Sequence, residues 1–516
     1  MNQIEITTLK EITDTLSPIK AHQYETFMSK LDISKKRLTL LSFYGSDKDL
    51  YKEIIDTLTM NVSSRMEVID IAIGRIRKYI AVSKLEKKQF GEVFTPAELV
   101  IEMLSTLPKE VWKNSKLKWF DHSAGTGVFP LIVIKKLMNG LKEEFADENT
   151  RYKHIIENMI YTCELQVKNS FLYMCAVDPK AEFKLNLFSG SFLSEEFNEC
   201  VKNKWNLDGF DIIIGNPPYQ DVTDKIGKTA ATLWPRFLAK SIEDYLNKYG
   251  YFLCITPISW MSPGKQLIRN RSMPVYFRSN RFLHLNMNAA KFFKVNSYFS
   301  YYLIQKINGY DEGISIKYDT QVVSGEKKWK FDFSEMEFIP KPDSEETLSI
   351  VRKVLSTGNK IKLSQSSLTR SDKPYVSKIK SASNKYPIKH TNTEILWSSI
   401  KPDSFGKNKV IINSTGNFNP IYDNGVLGTS QITRWVEVKD VTEGNNLIGY
   451  LNSKLLKFVL ASCRWSGAAS KVVFEEIPSV EKTISTDIDL YKYFNLTQEE
   501  IDHVEKIKTN GTSRIL

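Results

Sequence analysis

The feature that most limits the fold of this chain is an alternation of β-like and helix-like segments between residues 89 and 310. The β-like runs include "WFDHS", "MIYTCEL", "FDIIIG" and "YGYFLCITP", and the helix-like stretches include "PLIVIKKLMNGL" and "LWPRFLAKSIEDYL". Such alternation predicts βαβ units, and therefore a mostly parallel sheet with helices on its faces. We predict an α/β fold for this segment.

The flanking segments follow different patterns. At 516 residues the chain is too long for one ordinary domain, so two or three are expected. Residues 1–88 carry helical spacing, as in "MEVIDIAIGRIRKYIAV", and predict a helical N-terminal domain. Beyond about residue 311 the alternation is lost. We therefore expect domains at 1–88, 89–310 and 311–516, the last ending in a C-terminal tail.

The composition indicates a globular protein. Apolar residues make up 42% of the chain and charged residues 25%. The apolar runs are too short to cross a bilayer, and the first 25 residues lack the core of a signal peptide. The five cysteines are scattered without a CxxC pair, which favours reduced thiols in a cytoplasmic protein. We expect neither a membrane segment nor a metal site.

The charge of the chain favours a polyanionic partner. The formal net charge is +11, and residues 351–390 contain ten Lys or Arg against one acid, Asp372. Lys373, Lys378 and Lys380 are candidates for contacting DNA phosphates. A solvated loop region is the alternative, because runs of charge are usually exposed to water.

A glycine-bearing turn, "FDHSAGTGVF" (120–129), follows one predicted strand and opens a helix. Gly125 and Gly127 permit a tight turn and a close approach of the backbone to a ligand. Glu164 ends the next strand, where a carboxylate can accept hydrogen bonds from ribose hydroxyls. Ligands of parallel sheets bind at the carboxyl ends of the strands, so we expect these residues to share one site.

The run "DIIIGNPPYQ" (211–220) ends another strand in a rigid loop. Pro217 and Pro218 fix φ and remove N–H groups, which leaves carbonyl oxygens free to accept hydrogen bonds. The side-chain oxygen of Asn216 and the carbonyl oxygen of Pro217 are two acceptors, which suits an –NH2 group with two hydrogens. Tyr219 can stack on the flat ring that bears this amine.

Three motifs in order resemble a known family. Residues 121–129 resemble the D-P-A-C-G-T-G-x-F motif of amino-methyltransferases, and residues 216–219 match their N-P-P-Y motif. "FGEVFTP" (90–96) resembles the G-x-x-[YF]-T-P stretch of the same enzymes. This order, followed by a C-terminal recognition domain, is similar to the gamma class of adenine-N6 DNA methyltransferases. The resemblance implies a Rossmann-like methyltransferase sheet and an α+β target-recognition domain, to which residues 446–480 are loosely similar.

The resemblance also implies S-adenosylmethionine as cofactor. Its binding residues would be Phe94, Thr95, Pro96, Asp121, Ser123, Gly125, Gly127, Glu164, Ser191 and Asn216. Ser191 stands where the family commonly has an acid, and a hydroxyl is a weaker acceptor than a carboxylate. His122 and Ser123 replace the usual Pro-Ala, which alters the stiffness of the turn.

The catalytic residues implied by the resemblance are Asn216, Pro217, Pro218 and Tyr219. Tyr219 would stack on a flipped base, and a second aromatic side chain would close its other face. Phe292 matches this second position best by spacing, with Phe293 as its rival.

The implied function is site-specific methylation of adenine N6 in double-stranded DNA, in a restriction-modification or phage/host DNA-modification setting. A specificity or restriction subunit would be a further partner. Alternatives are an N-P-P-Y enzyme acting on RNA, on cytosine N4 or on a protein glutamine, and a non-catalytic DNA-binding subunit. Cytosine-C5 methylation is disfavoured because no Pro-Cys pair occurs. A fused nuclease would need Asp followed by Glu-x-Lys on β-strands in the N-terminal part, and it is disfavoured because the only candidate there, at 86–88, lies in a helix-like stretch.

Overall fold

The computed structural model describes most of the chain beyond residue 64. The described residues are 65–82, 95–178, 182–219, 232–261, 273–293, 299–307, 317–336, 338–366, 374–413, 419–463, 471–480, 484 and 486–506. They form two compact units. One contains the residues up to 257 together with 279–323, and the other contains 258–278 and the residues from 324 onward.

The first unit is built on a mostly parallel sheet in the order β3-β2-β1-β4-β5-β7-β6-β8. Its strands are β1 (Trp119–Asp121), β2 (Ile160–Glu164), β3 (Asn186–Ser189), β4 (Phe210–Gly215), β5 (Leu246–Pro257), β6 (Arg281–Asn286), β7 (Phe299–Gln305) and β8 (Asp319–Ser324). Strand β7 runs antiparallel to its two neighbours, β5 and β6. The predicted α/β fold with a Rossmann-like sheet is therefore confirmed.

Helices cover this sheet. They are α1 (Arg65–Val82), α2 (Ala97–Leu104), α3 (Val128–Gly140), α4 (Glu148–His154), α5 (Val167–Val177), α6 (Glu195–Glu199) and α7 (Trp234–Ala239). Short π-helical turns extend α4, α6 and α7 over Ile155–Met159, Cys200–Trp205 and Lys240–Tyr245. Short 3-10 turns cover Lys109–Lys113 and Asn288–Phe292. Among the described residues, no helix has the length and apolar character needed to cross a membrane.

Side chains packed on both faces of the strands stabilise the sheet. Phe120 of β1 stacks on Phe210 of β4 with ring centroids 4.4 Å apart, within an aromatic cluster that includes Phe197 and Trp205. Helices α1, α3 and α5 contribute buried aliphatic residues to a second layer. Helix α1 therefore packs with the unit that was expected to begin at residue 89.

The strand register brings the predicted site residues together. Asp121 at the end of β1 is paired with Thr162 of β2 and with Ile214 of β4. Glu164 at the end of β2 is paired with Ser189 of β3. Since these strands are parallel, the loops that follow β1, β2, β3 and β4 emerge at one edge of the sheet.

The second unit is α+β, as expected for the C-terminal region. It contains α8 (Met273–Arg278), a 3-10 turn over Ile258–Met261, and β9 (Lys327–Asp332). Its further strands are β10 (Ser364–Gln365), β11 (Val376–Ser377), β12 (Tyr386–Lys389), β13 (Ile395–Ser398), β14 (Asn408–Asn413), β15 (Ile421–Asn424), β16 (Gly428–Thr429) and β17 (Thr433–Glu437). Its further helices are α9 (Glu345–Leu355), α10 (Val441–Asn452), α11 (Lys454–Ser462), α12 (Lys471–Glu475), α13 (Asp487–Tyr493) and α14 (Gln498–Lys506).

Two four-stranded sheets organise the second unit, in the orders β10-β17-β14-β15 and β11-β13-β12-β16. The segment 258–278 belongs to this unit although it lies between β5 and β6 in the chain. The boundary between the units thus falls near residue 323, and the segment 258–278 is inserted from the first unit's part of the chain into the second unit. The sequence suggested one boundary near 310.

Candidate functional site

The loop between β1 and α3 forms one wall of a cleft at the carboxyl edge of the sheet. Gly125 and Gly127 both have positive φ, at 55° and 96°. A Cβ added to Gly127 would lie 2.3 Å from Cδ2 of the buried Tyr173. Glycine is therefore required at 127 both by the backbone conformation and by the close packing of α5 against the start of α3.

Glu164 joins this loop to the end of β2. Its Oε2 accepts a hydrogen bond from Gly125 N at 2.8 Å, and its Oε1 accepts one from Gln166 N at 2.7 Å. The carboxyl group is nearly buried and also lines the cleft. A carboxylate offers about four acceptor positions, so it can hold the backbone and a ligand at the same time. Glu164 thus shapes the glycine loop in addition to facing the cleft.

The cleft has a volume of about 530 Å³, which lies within the ~300–1,000 Å³ typical of small-molecule sites. It is lined by residues from the loops after β1, β2, β3 and β4, by Thr95 shortly before α2, and by the first turn of α7. Those that bear on its chemistry are Thr95, Ser123, Gly125, Glu164, Ser191, Asn216, Pro217, Pro218 and Arg236. The site residues of three separate sequence motifs therefore meet in one cavity.

Hydrogen bonds to described residues hold Asn216 immediately after β4. Its Nδ2 donates to Thr95 Oγ1 at 3.0 Å, and its Oδ1 accepts from the Tyr219 hydroxyl at 2.7 Å. Its main-chain oxygen accepts from Ser123 Oγ at 3.0 Å. Burial raises the pKa of Tyr219, so its hydroxyl keeps its proton and donates. These bonds connect the "FTP", glycine and N-P-P-Y motifs directly.

The aromatic residues near Tyr219 form a row. The ring of Tyr219 stacks on Phe299 at 5.4 Å, and Phe293 packs on the same Phe299 at 5.1 Å. Phe292 lies instead beneath the Lys291 ammonium, whose Nζ is 4.8 Å from the ring centroid. Phe293, the rival candidate from the sequence, is thus the one connected to Tyr219 through a shared ring.

Burial perturbs two titratable groups at the end of β1. It raises the pKa of Asp121 to about 8, although a hydrogen bond from Ser123 N opposes the shift and the charge of Glu164 adds to it. It lowers the pKa of His122 to about 3, so the imidazole is neutral. Among the described residues, three buried polar atoms here have no hydrogen-bond partner, namely Asp121 Oδ2, His122 Nε2 and Thr126 Oγ1.

The remaining predicted residues lie in different surroundings. Pro96 precedes α2, and its carbonyl oxygen accepts from Val100 N. Ser191 lines the cleft and accepts a hydrogen bond from Leu193 N at 3.2 Å. Phe94 lies outside the described residues. Within the described part of the chain, no group of three His, Cys, Asp or Glu side chains is arranged to hold a metal.

The predicted phosphate contacts belong to the second unit. Lys373 lies outside the described residues. Lys378 is exposed and forms an ion pair with Glu394 at 3.6 Å, and Lys380 lies over the Trp397 ring of β13 at 5.1 Å.

Sequence reasoning missed several residues of the cleft. Arg236 and Phe237 line it, and neither stands at a position that a motif marks. Thr126 also lines it, and although it lies within the glycine motif it was not among the predicted site residues. His122 stands out in the sequence only as a departure from a family pattern. Its neutral buried ring beside Ser123 could be found only from the structure.

Comparison with known proteins adds an independent line of evidence. Residues 29–292 match the family model described as Eco57I restriction-modification methylase. This match covers every described residue that lines the cleft.

Individual relatives are more distant. An uncharacterized adenine-specific methylase from Mycoplasma pneumoniae is 26% identical over 35% of this chain, and the match covers 58% of the relative's length. The type IIL restriction-modification enzyme MmeI, solved in complex with DNA, is 11% identical, with 98% of this chain and 96% of that chain covered and a TM-score of 0.44. The M protein of the type I restriction enzyme EcoKI is 13% identical, with coverages of 61% and 67% and a TM-score of 0.33.

Proposed function

Because this chain belongs to the Eco57I restriction-modification methylase family, we propose that it transfers a methyl group from S-adenosylmethionine to N6 of an adenine in double-stranded DNA. The observation that supports this most strongly is the position of Asn216 and Pro217. Both line the same cleft as the glycine loop and Glu164. An amine held by Asn216 and Pro217 would therefore face a cofactor held by the glycine loop and Glu164.

The residues present fit the proposed cofactor. Gly125 and Gly127 leave the loop without Cβ atoms at two positive-φ positions, and Asp121 Oδ2 and Thr126 Oγ1 are buried polar atoms without described partners. We propose that Thr95, Pro96, Asp121, Ser123, Gly125, Gly127, Glu164 and Ser191 hold it, with Phe94 as a further contact. When bound, S-adenosylmethionine supplies a methyl group that its sulfonium already activates, so the protein needs no covalent nucleophile.

The task left to the protein is to hold the amine of the substrate. The side-chain oxygen of Asn216 has two lone pairs, and the Tyr219 hydroxyl orients it by donating to one of them. We propose that this oxygen and the carbonyl oxygen of Pro217 accept the two hydrogens of an adenine amine. Accepting both hydrogens draws the nitrogen lone pair out of conjugation with the ring, which makes it available as the nucleophile. Correct placement of this nitrogen against the methyl group lowers the barrier further.

A base in a duplex can reach this cleft only if it leaves the stack. We propose that Tyr219 stacks on the flipped base, with Phe292 or Phe293 closing the other side. The aromatic row supports Phe293 more than Phe292, because Phe293 shares the Phe299 ring with Tyr219. Stacking on an aromatic side chain contributes ~1–3 kcal/mol per base.

The charge of the chain is consistent with a DNA substrate. The net charge of +11 favours a polyanion, and Lys373, Lys378 and Lys380 are proposed to contact phosphates. We propose a restriction-modification setting, in which the chain works together with a specificity or restriction subunit.

The proposal is tested by offering the protein its rival substrates side by side. Purified protein and tritiated S-adenosylmethionine are incubated with unmethylated plasmid DNA, with ribosomal RNA and with a glutamine-containing peptide. We expect label only in DNA, and only in N6-methyladenine after hydrolysis to nucleosides. Label in N4-methylcytosine, in RNA or in the peptide would replace the proposed substrate. No label in any of them, with the cofactor bound normally, would favour a non-catalytic subunit.

A further inference from the structure

The side chain of His122 lies within an aromatic box beside the strand that carries the N-P-P-Y motif. It is 1% exposed, and its ring packs near Phe192, Phe237 and Phe252 at centroid distances of 5.7, 5.5 and 6.4 Å. Burying a histidine in such apolar surroundings costs free energy unless its polar atoms form hydrogen bonds. One of them, Nδ1, has a partner, since it lies 2.9 Å from Ser123 Oγ.

The direction of this hydrogen bond follows from the next one. The single hydroxyl proton of Ser123 is donated to the main-chain oxygen of Asn216 at 3.0 Å. Ser123 Oγ must therefore accept from the histidine, so the proton of His122 lies on Nδ1. The ring is neutral, because burial lowers its pKa to about 3. The two hydrogen bonds therefore run in one direction: His122 Nδ1 donates to Ser123 Oγ, and Ser123 Oγ donates to the main-chain oxygen of Asn216.

The backbone of β4 is shaped to admit this arrangement. Gly215 has φ of 152°, and a Cβ at this position would lie 2.7 Å from His122 Cε1 and 3.0 Å from Asp121 Oδ1. A side chain at 215 would therefore displace the imidazole. The residue immediately before Asn216 is compatible with the histidine only as glycine.

We propose that His122 and Ser123 form a hydrogen-bond relay that positions the catalytic Asn216, and that His122 is a positioning residue for methyl transfer. This inference rests on the proposed function of Asn216. The relay holds the main-chain carbonyl of Asn216, which sets the orientation of the peptide unit shared with Pro217. Both acceptors of the substrate amine, Asn216 Oδ1 and Pro217 O, extend from this unit.

The relay accounts for both replacements in the glycine turn together. A Pro-Ala pair at 122 and 123 could make neither hydrogen bond, because proline lacks a donor and alanine lacks a hydroxyl. The plain alternative is a histidine that only fills space within the three Phe rings. The two explanations predict different kcat values for a variant that keeps the ring volume and lacks the Nδ1 donor.

The test compares two replacements at 122 in the full-length protein. His122→Phe keeps an aromatic ring without a donor, and His122→Asn places an amide N–H near the position of Nδ1. We expect His122→Phe to lower kcat for DNA methylation roughly 10- to 100-fold, the scale of a misplaced reacting group. Cofactor and DNA Kd should change less than about twofold. His122→Asn should recover most of the lost kcat.

A matched control and a double-mutant cycle separate positioning from packing. Phe197 packs on Phe192 of this aromatic box, with ring centroids 5.0 Å apart, and does not line the cleft. Phe197→Leu should therefore lower the unfolding midpoint and leave kcat unchanged. Combining His122→Phe with Ser123→Ala should reduce kcat no further than Ser123→Ala alone, because both changes break one chain of bonds. Fully additive losses, or no recovery with His122→Asn, would overturn the relay.

A spectroscopic measurement decides the relay independently of activity. In 15N NMR of the histidine-labelled protein, His122 should show a protonated Nδ1 and an unprotonated Nε2. The opposite tautomer, or an imidazolium at neutral pH, would overturn the relay even if methylation is normal. Absence of any methyl transfer by the wild-type protein would instead contradict the proposed function.

Discussion

Replacing Gly127 with alanine tests whether the glycine turn is built as described. Gly127 has φ of 96°, a conformation that a residue with a Cβ adopts at a cost of about 1–3 kcal/mol. The new methyl group would also lie 2.3 Å from the Tyr173 ring, which is buried and cannot move aside freely. Overpacking of this kind typically costs about 1–3 kcal/mol. Together these effects predict a loss of about 2–6 kcal/mol in the free energy of unfolding.

Urea unfolding followed by circular dichroism measures this loss, and Gly74→Ala is the matched control. Gly74 is exposed within α1, and an added Cβ would meet nothing within 4 Å. Alanine is favoured over glycine inside helices, so this variant should gain about 0.5–1 kcal/mol. Calorimetry should also show weaker cofactor binding by Gly127→Ala. A loss of stability below about 1 kcal/mol, with normal cofactor binding, would refute the described geometry.

Three further predictions concern the base, the phosphates and the buried acid. Tyr219→Phe should keep base extrusion because the ring remains, but it should lose part of the turnover because the hydroxyl that orients Asn216 Oδ1 is gone. Tyr219→Ala should lose both turnover and the fluorescence signal of an extruded 2-aminopurine, and equal behaviour of the two variants would contradict stacking. Changing Lys378 and Lys380 to Gln should reduce the slope of log K against log salt by ~0.9 for each phosphate that is no longer neutralised, and an unchanged slope would mean that neither lysine neutralises a phosphate. Between about pH 4 and 8 the folded state keeps a proton on Asp121 that the unfolded state has lost. The free energy of unfolding should therefore fall as pH rises through this range. Asp121→Asn should flatten this pH dependence in urea titrations.

Much of the first unit could be predicted because its local patterns agree with its tertiary structure. The run before Asn216 is apolar and β-branched because β4 is central in the sheet, paired with β1 and β5. The place of Glu164 at a strand end followed from the same alternation. Its hydrogen bond to Gly125 N did not, because that bond depends on the register between β1 and β2.

Interactions between distant motifs could not be predicted from sequence. Ser123 and Asn216 meet because β1 and β4 are neighbours, and strand order is not written in either motif. Phe292 and Phe293 differ by one position at the end of a 3-10 turn, where successive side chains point ~120° apart. Spacing alone therefore could not choose between them.

The second unit was predicted less well for a different reason. Its strands β10, β11 and β16 are each two residues long. They are too short to show an alternation of apolar and polar residues. The segment 258–278 joins this unit from within the other one. The loss of strand–helix alternation beyond about residue 311 could not reveal that an earlier segment joins the second unit.

The most direct test of the account is methyl transfer by the wild-type protein and Asn216→Ala with S-adenosylmethionine that carries a deuterated methyl group. Genomic DNA that lacks modification serves as substrate, and mass spectrometry of its nucleosides measures deuterated N6-methyladenine. We predict this product with the wild type, and a yield lower by orders of magnitude with Asn216→Ala, although cofactor and DNA still bind. Equal yields from the two proteins would contradict the role of the cleft in the chemistry.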